Sequence, residues 1–187
     1  MAGVSLATSE TSSRELVGGK QCSVGRLISE VEGWKIVNIA ASWEGTPYQQ
    51  VGVASVKGIV GDCSGSTNKI YIEAGFPYPY KRTANFLDYV QSSHRFREVE
   101  LARDSMQAGD VLLWPGHMAI YAPFPEGHPK RKTGVMHRGV AVANDFYTAF
   151  NERSGRPYGA FNIKTFRSDG FRVFRYFVHP GELACSE

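Results

Sequence analysis

Asp62-Cys63-Ser64-Gly65-Ser66-Thr67-Asn68-Lys69-Ile70-Tyr71-Ile72-Glu73-Ala74-Gly75 is the stretch from which the fold is read. Cys63, Thr67, Ile70, Tyr71 and Ala74 stand at offsets 0, 4, 7, 8 and 11, the spacing of one helix face. Gly75 stops the helix, and Pro77 and Pro79 forbid its continuation. The helix therefore opens on a thiol.

Upstream, Trp34, Val37, Ala40 and Ala41 fall at helical spacing within 34–43, and Gly45-Thr46-Pro47 ends that run. A Gly/Val-rich loop spans 49–61, and 83–90 reads as a shorter helix capped by Thr83. Beyond Arg103 the period changes. Gly109-Asp110 is a turn, 111–114 a strand, Pro115-Gly116 a tight turn and 117–122 a second strand. Residues 123–134 read as a basic loop, with further strands expected at 135–143, 146–150, 159–165 and 171–178. Helices first and antiparallel strands afterwards define an α+β fold. Residues 1–30 are polar and weakly patterned and are expected to form a flexible or loosely docked leader, with 31–187 as one domain.

Composition excludes several classes. With 187 residues, 42% hydrophobic and 21% charged, the chain suits one globular core. No apolar run reaches the ~18 residues of a membrane span. Residues 1–20 lack a basic n-region and an apolar h-region, so the expectation is synthesis in the cytoplasm without a Sec signal peptide. A net charge of +3 is too small to select an anionic partner, and no nucleic-acid role is expected. Lys130-Arg131-Lys132 is read as a solvated loop. Three cysteines, Cys22, Cys63 and Cys185, with no CxxC spacing argue against a disulfide framework or a structural zinc; Cys22 and Cys185 are expected as free thiols.

Only Cys63 has a chemical context. A helix start offers unpaired N–H groups and a partial positive charge, and beside an imidazolium it is expected to lower a thiol pKa to about 3.5–7.5. The same amides can receive an oxyanion, and Ser64, Gly65 and Ser66 are small enough to let a substrate backbone approach. His117, between the turn Trp114-Pro115-Gly116 and the apolar run Met118-Ala119-Ile120-Tyr121, is the expected base. His94 lies in a polar stretch, His128 in the basic loop and His179 at the end of the last strand, which leaves His137 as the rival. No HExxH or HxH pair occurs, so neither a metal nor another cofactor is called for.

Four segments in order, Gly45-Thr46-Pro47-Tyr48, Asp62-Cys63-Ser64-Gly65, Ala108-Gly109-Asp110-Val111-Leu112 and His117-Met118-Ala119-Ile120-Tyr121, resemble the signature of the NlpC-type cell-wall cysteine peptidases. The resemblance covers roughly 34–178 and implies a papain-like core, with a nucleophile helix packed on an antiparallel sheet that bears the base. It implies Cys63 as nucleophile and His117 as base, with Tyr48, Asp62 and Ser64 at the substrate or the helix start. The family's third polar residue, which orients the histidine, lies shortly after it; here 123–134 intervenes. The match to Phe146-Tyr147-Thr148-Ala149 puts Thr148 in that role, with Asn144, Asp145 and His137 still open.

The implied activity is cleavage of amide bonds in peptidoglycan stem peptides. The chain further resembles small amidase effectors of type VI secretion, including around Ser154-Gly155-Arg156-Pro157-Tyr158-Gly159. That likeness implies action in a rival's periplasm and a cognate immunity protein as partner. A phage endolysin, a murein-recycling peptidase, a papain-like acyltransferase or transglutaminase-like enzyme, and a non-catalytic binding module are the alternatives.

Overall fold

A computed structural model of the chain describes residues 24–150 and 156–182. Its first helix, α1 (Glu30–Ala41), begins ahead of the periodic run because Ser29 and Glu32 form a capping box. The Ser29 hydroxyl accepts from the Glu32 N–H, and the Glu32 carboxylate accepts from the Ser29 N–H at 2.7 Å. Ile36, Val37 and Ala40 are the buried face of α1.

Helix α2 (Cys63–Glu73) runs as the periodicity predicts, and eight of its eleven residues are buried. Ala74 is its C-cap, and Gly75 follows at φ +89, a conformation that glycine adopts without strain. Helix α3 (Thr83–Ser93) is three residues longer than expected. Thr83 is its first residue rather than its cap; Arg82 holds the cap position and makes no side-chain capping bond.

The strands are β1 (Arg26–Leu27), β2 (Phe96–Glu98), β3 (Val111–Trp114), β4 (His117–Tyr121), β5 (Lys132–His137), β6 (Val140–Ala143), β7 (Phe146–Thr148), β8 (Gly159–Phe161) and β9 (Arg172–Val178). Seven of them form one antiparallel sheet in the order β1-β9-β3-β4-β7-β8, with β2 also paired to β9. The fold is α+β.

Strand alternation sorts side chains to the two faces of this sheet. Val111, Met118, Ile120, Tyr147, Phe174 and Tyr176 pack beneath the three helices, against Ile36, Val37, Ile70, Tyr71 and Phe86. The intervening Leu112, Trp114, Ala119, Phe146 and Val173 form a second cluster, which Phe161, Ile163, Phe166 and Phe171 cover. Among the described residues no helix is long and apolar enough to cross a membrane.

Three expectations change. Arg26 and Leu27 pair with Val178 and Phe177, and Ile28 is buried, so residues 26–30 belong to the fold and not to a leader. The single strand expected at 135–143 is a separate hairpin, β5–β6, because Arg138 and Gly139 both take positive φ and turn the chain. The strand expected at 159–165 stops at Phe161, where the Asn162 side chain accepts the Lys164 N–H and starts a four-residue helix, α4 (Ile163–Phe166). Cys22 and Cys185, most of the expected leader, and Ser154 and Gly155 lie outside the described residues.

Candidate active site

Asp62 organises the start of α2. Its Oδ1 accepts the Gly65 N–H at 2.7 Å and the Ser64 hydroxyl at 3.1 Å, and its Oδ2 accepts the Gly52 N–H at 2.5 Å. One carboxylate thus caps α2 and fixes the preceding loop. Gly65 is required for this fit: a Cβ there would stand 2.0 Å from the Gly52 carbonyl oxygen and 2.1 Å from the Ser55 Oγ. Ser55 Oγ, in turn, donates to the Gly52 carbonyl at 2.8 Å.

Loop and helix enclose an open groove of about 410 Å³, lined by Tyr48, Gly52, Cys63, Ser64, Tyr80 and Arg82 among others. Cys63 is 8% exposed and is among the residues that line the groove. Tyr48 is half-buried on the wall, where its backbone bridges to Gly61. Ser64 faces Tyr80, the two hydroxyls being 3.2 Å apart; since Ser64 donates to Asp62, Tyr80 is the donor of this pair.

The imidazole end is built differently. His117 opens β4 after the Pro115-Gly116 turn, and β7 pairs with β4 at Ile120 and Tyr121. Thr148 Oγ1 lies 2.9 Å from His117 Nε2, 2.7 Å from the Met118 carbonyl and 3.3 Å from the Ala149 carbonyl. A hydroxyl has one proton, and the shortest of these contacts to a pure acceptor is Met118. The oxygen therefore accepts from Nε2–H, which leaves Nδ1 with its lone pair free to act as a base. The ring of His117 rests against Trp114 and Phe166, with centroids 6.1 and 5.0 Å away.

The two ends meet at Met118. Its backbone N–H lies near enough to the Cys63 sulfur to favour the thiolate, as do the N–H groups of Ser64 and of Cys63 itself. The nucleophile candidate thus lies near the residue that follows the base candidate. Of the four residues considered as third member, Thr148 reaches His117. Asp145 instead accepts the Ile163 N–H at 2.8 Å, Asn144 donates to the Lys130 carbonyl, and His137 ends β5 of the separate hairpin.

The protonation states depart from expectation. Burial pushes the Cys63 thiol up to about 11, and the nearby Asp62 charge adds to this, while the three N–H groups pull the other way. Burial also drives the His117 imidazole down to about 4, with Arg167 adding and Asp169 opposing. A thiolate–imidazolium pair at rest was expected; burial instead favours a neutral thiol at Cys63 and a neutral imidazole at His117. The dry aromatic and backbone surroundings are the physical reason, because desolvation disfavours both charged forms.

Sequence reasoning missed Tyr80, Arg82, Trp114 and Phe166. Tyr80 and Arg82 sit between the two helices with no spacing signal of their own, and Phe166 reaches the site through a helix too short for periodicity to show. No family model matches the chain, and no curated protein matches it.

Proposed function

We propose that the chain is a cysteine hydrolase that cleaves amide bonds in peptidoglycan stem peptides, on a papain-like arrangement of nucleophile helix and base-bearing strand. The observation that carries this reading is the placement of Cys63: first residue of α2, lining an open groove, on a helix packed against the strand that His117 opens.

Chemistry starts from the neutral pair. As Cys63 Sγ attacks the amide carbonyl, its proton passes to His117 Nδ1, and the N–H groups at the start of α2 receive the oxyanion. The imidazolium then protonates the leaving amine, giving a thioester. Water, deprotonated by the same imidazole, releases the carboxylate and restores the thiol. Thr148 holds the ring through Nε2 in every step.

Groove charge agrees with an anionic substrate. Two charged residues line it. Asp62 is committed to three hydrogen bonds, whereas Arg82 is exposed and has no ion pair among the described residues. A stem-peptide carboxylate suits that guanidinium. The resemblance to small secreted amidases extends the reading to an antibacterial effector of type VI secretion, acting in a rival's periplasm and neutralised by an immunity protein.

The test is digestion of purified sacculi and defined muropeptides by wild type and Cys63→Ala, with fragments weighed by mass spectrometry. Wild type is expected to release peptides ending in a free carboxylate, and Cys63→Ala to release none while its circular dichroism is unchanged. Undiminished release by Cys63→Ala overturns the assignment, and a product carrying an added amine replaces hydrolysis with transfer.

A further inference from the structure

Helix α4 is too short to be stable alone, since a single turn fixes several residues for few hydrogen bonds. It is nevertheless tied down at three points. Asn162 caps it through the Lys164 N–H at 3.0 Å, Asp145 Oδ1 accepts the Ile163 N–H at 2.8 Å, and the Asn162 amide donates to the Ala143 carbonyl. The residue this anchoring places is Phe166, the last of the helix. Its ring lies 5.0 Å from His117 at 45°, 5.0 Å from Phe146 at 78° and 5.6 Å from Trp114 at 58°. Trp114 is itself 6.1 Å from His117, so the three rings form a triangle with the imidazole at one corner.

Besides these rings, His117 is faced by Thr148, which is uncharged, and by Arg167 and Asp169 from the segment after α4. The last two are paired with each other, Nε to Oδ1 at 2.7 Å and the second guanidinium nitrogen to Oδ2 at 2.5 Å. Their opposite charges act on the imidazole in opposite directions. The remaining control on His117 is access of water: the imidazole is half-buried, and the Phe166 ring, 5.0 Å away, covers part of it.

We propose that Phe166 is a positioning residue for His117: carried by α4, it closes over the imidazole beside Trp114 and keeps water from the His117–Thr148 hydrogen bond. The ring thereby holds Nδ1 in its proton-accepting form and in one orientation. This rests on the proposed role of His117 as base, but the property it sets belongs to the imidazole whether or not any substrate is cut.

Titration of isotope-labelled histidine in the intact chain by NMR tests it, because the readout needs no activity. Wild-type His117 is expected to titrate near its lowered value of about 4. In Phe166→Leu and Phe166→Ala the midpoint is expected to rise by about one unit or more toward the ordinary histidine range, more for alanine, as water enters. Phe76→Leu, a loss of ring from the core on the helix side, is the control for general loosening and should leave His117 unmoved. If Phe166→Ala does not fold, Phe166→Leu decides. A His117 midpoint unchanged in the folded Phe166 variants overturns the proposal, as does an equal rise in Phe76→Leu. Loss of sacculus cleavage by every form, with the Phe166 shift still present, would remove the hydrolase reading and leave this one standing.

Discussion

The two ends of the candidate site are built by opposite means. At the sulfur, the chain path does the placing: Asp62 locks a helix start to a loop, and nearby backbone N–H groups favour the thiolate. At the imidazole, side chains do it: one hydroxyl and two aromatic rings hold a residue at the open end of a strand. The first arrangement tolerates almost no change in shape, whereas the second tolerates changes in shape but not in polarity. A nucleophile position can be specified by the chain path alone. A base position has to be specified by its neighbours.

Gly65→Ala should break the sulfur end most severely. Its methyl would collide with the Gly52 carbonyl, a backbone atom that Asp62 holds in place. Displacing that contact is expected to cost about 3 kcal/mol or to prevent folding, measured as a lowered midpoint of denaturant unfolding. A variant as stable as wild type would show that the loop yields freely.

Thr148→Val probes the imidazole end with shape kept and the hydroxyl removed. It leaves Nε2–H and the Met118 carbonyl without their shared partner, and kcat/KM on muropeptides should fall about 10²-fold with little change in KM. Thr148→Ser should recover most of it. Equal losses in both variants would make the methyl, not the hydroxyl, the important group.

The smallest expected effect is the one that compares the two ends directly, the pH profile. The neutral pair persists above the His117 midpoint of about 4 and below the Cys63 midpoint of about 11. Because the imidazole is lowered, the base form is present throughout the neutral range and is lost only as pH falls through about 4; because the thiol is raised, its proton stays until about 11. Between these limits kcat/KM should be flat. An acid limb near the ordinary histidine value of about 6.5 would place the imidazole in water.

The same contrast decides what was legible in the sequence. Helix α2 and its cap were readable because Asp62, the periodic apolar residues and Gly75 act within one segment. Strands β3 and β4 were readable because alternation and the Pro115-Gly116 turn are local. The hairpin of β5 and β6 was merged into one strand because its turn, Arg138-Gly139, puts a bulky residue where glycine or asparagine is usual. Strands β1 and β2 were missed, since two or three residues carry no pattern and exist only because β9 pairs with them. Thr148 was placed opposite His117 by a match between short segments, and no local chemistry pointed to it. The protonation states were misjudged for a related reason: the helix charge at Cys63 can be read along the chain, but the burial that outweighs it exists only once residues far away in sequence have packed around it.

Strand β9 has a consequence for how the molecule is made. It pairs with β1, β2 and β3, so residues 172–178 join two strands from well before them in the chain to the middle of the sheet. Until residues 172–178 leave the ribosome, β1 and β2 have no neighbour and β3 keeps an open edge. Strands β1 and β2, though made earlier, therefore join the sheet no sooner than β9.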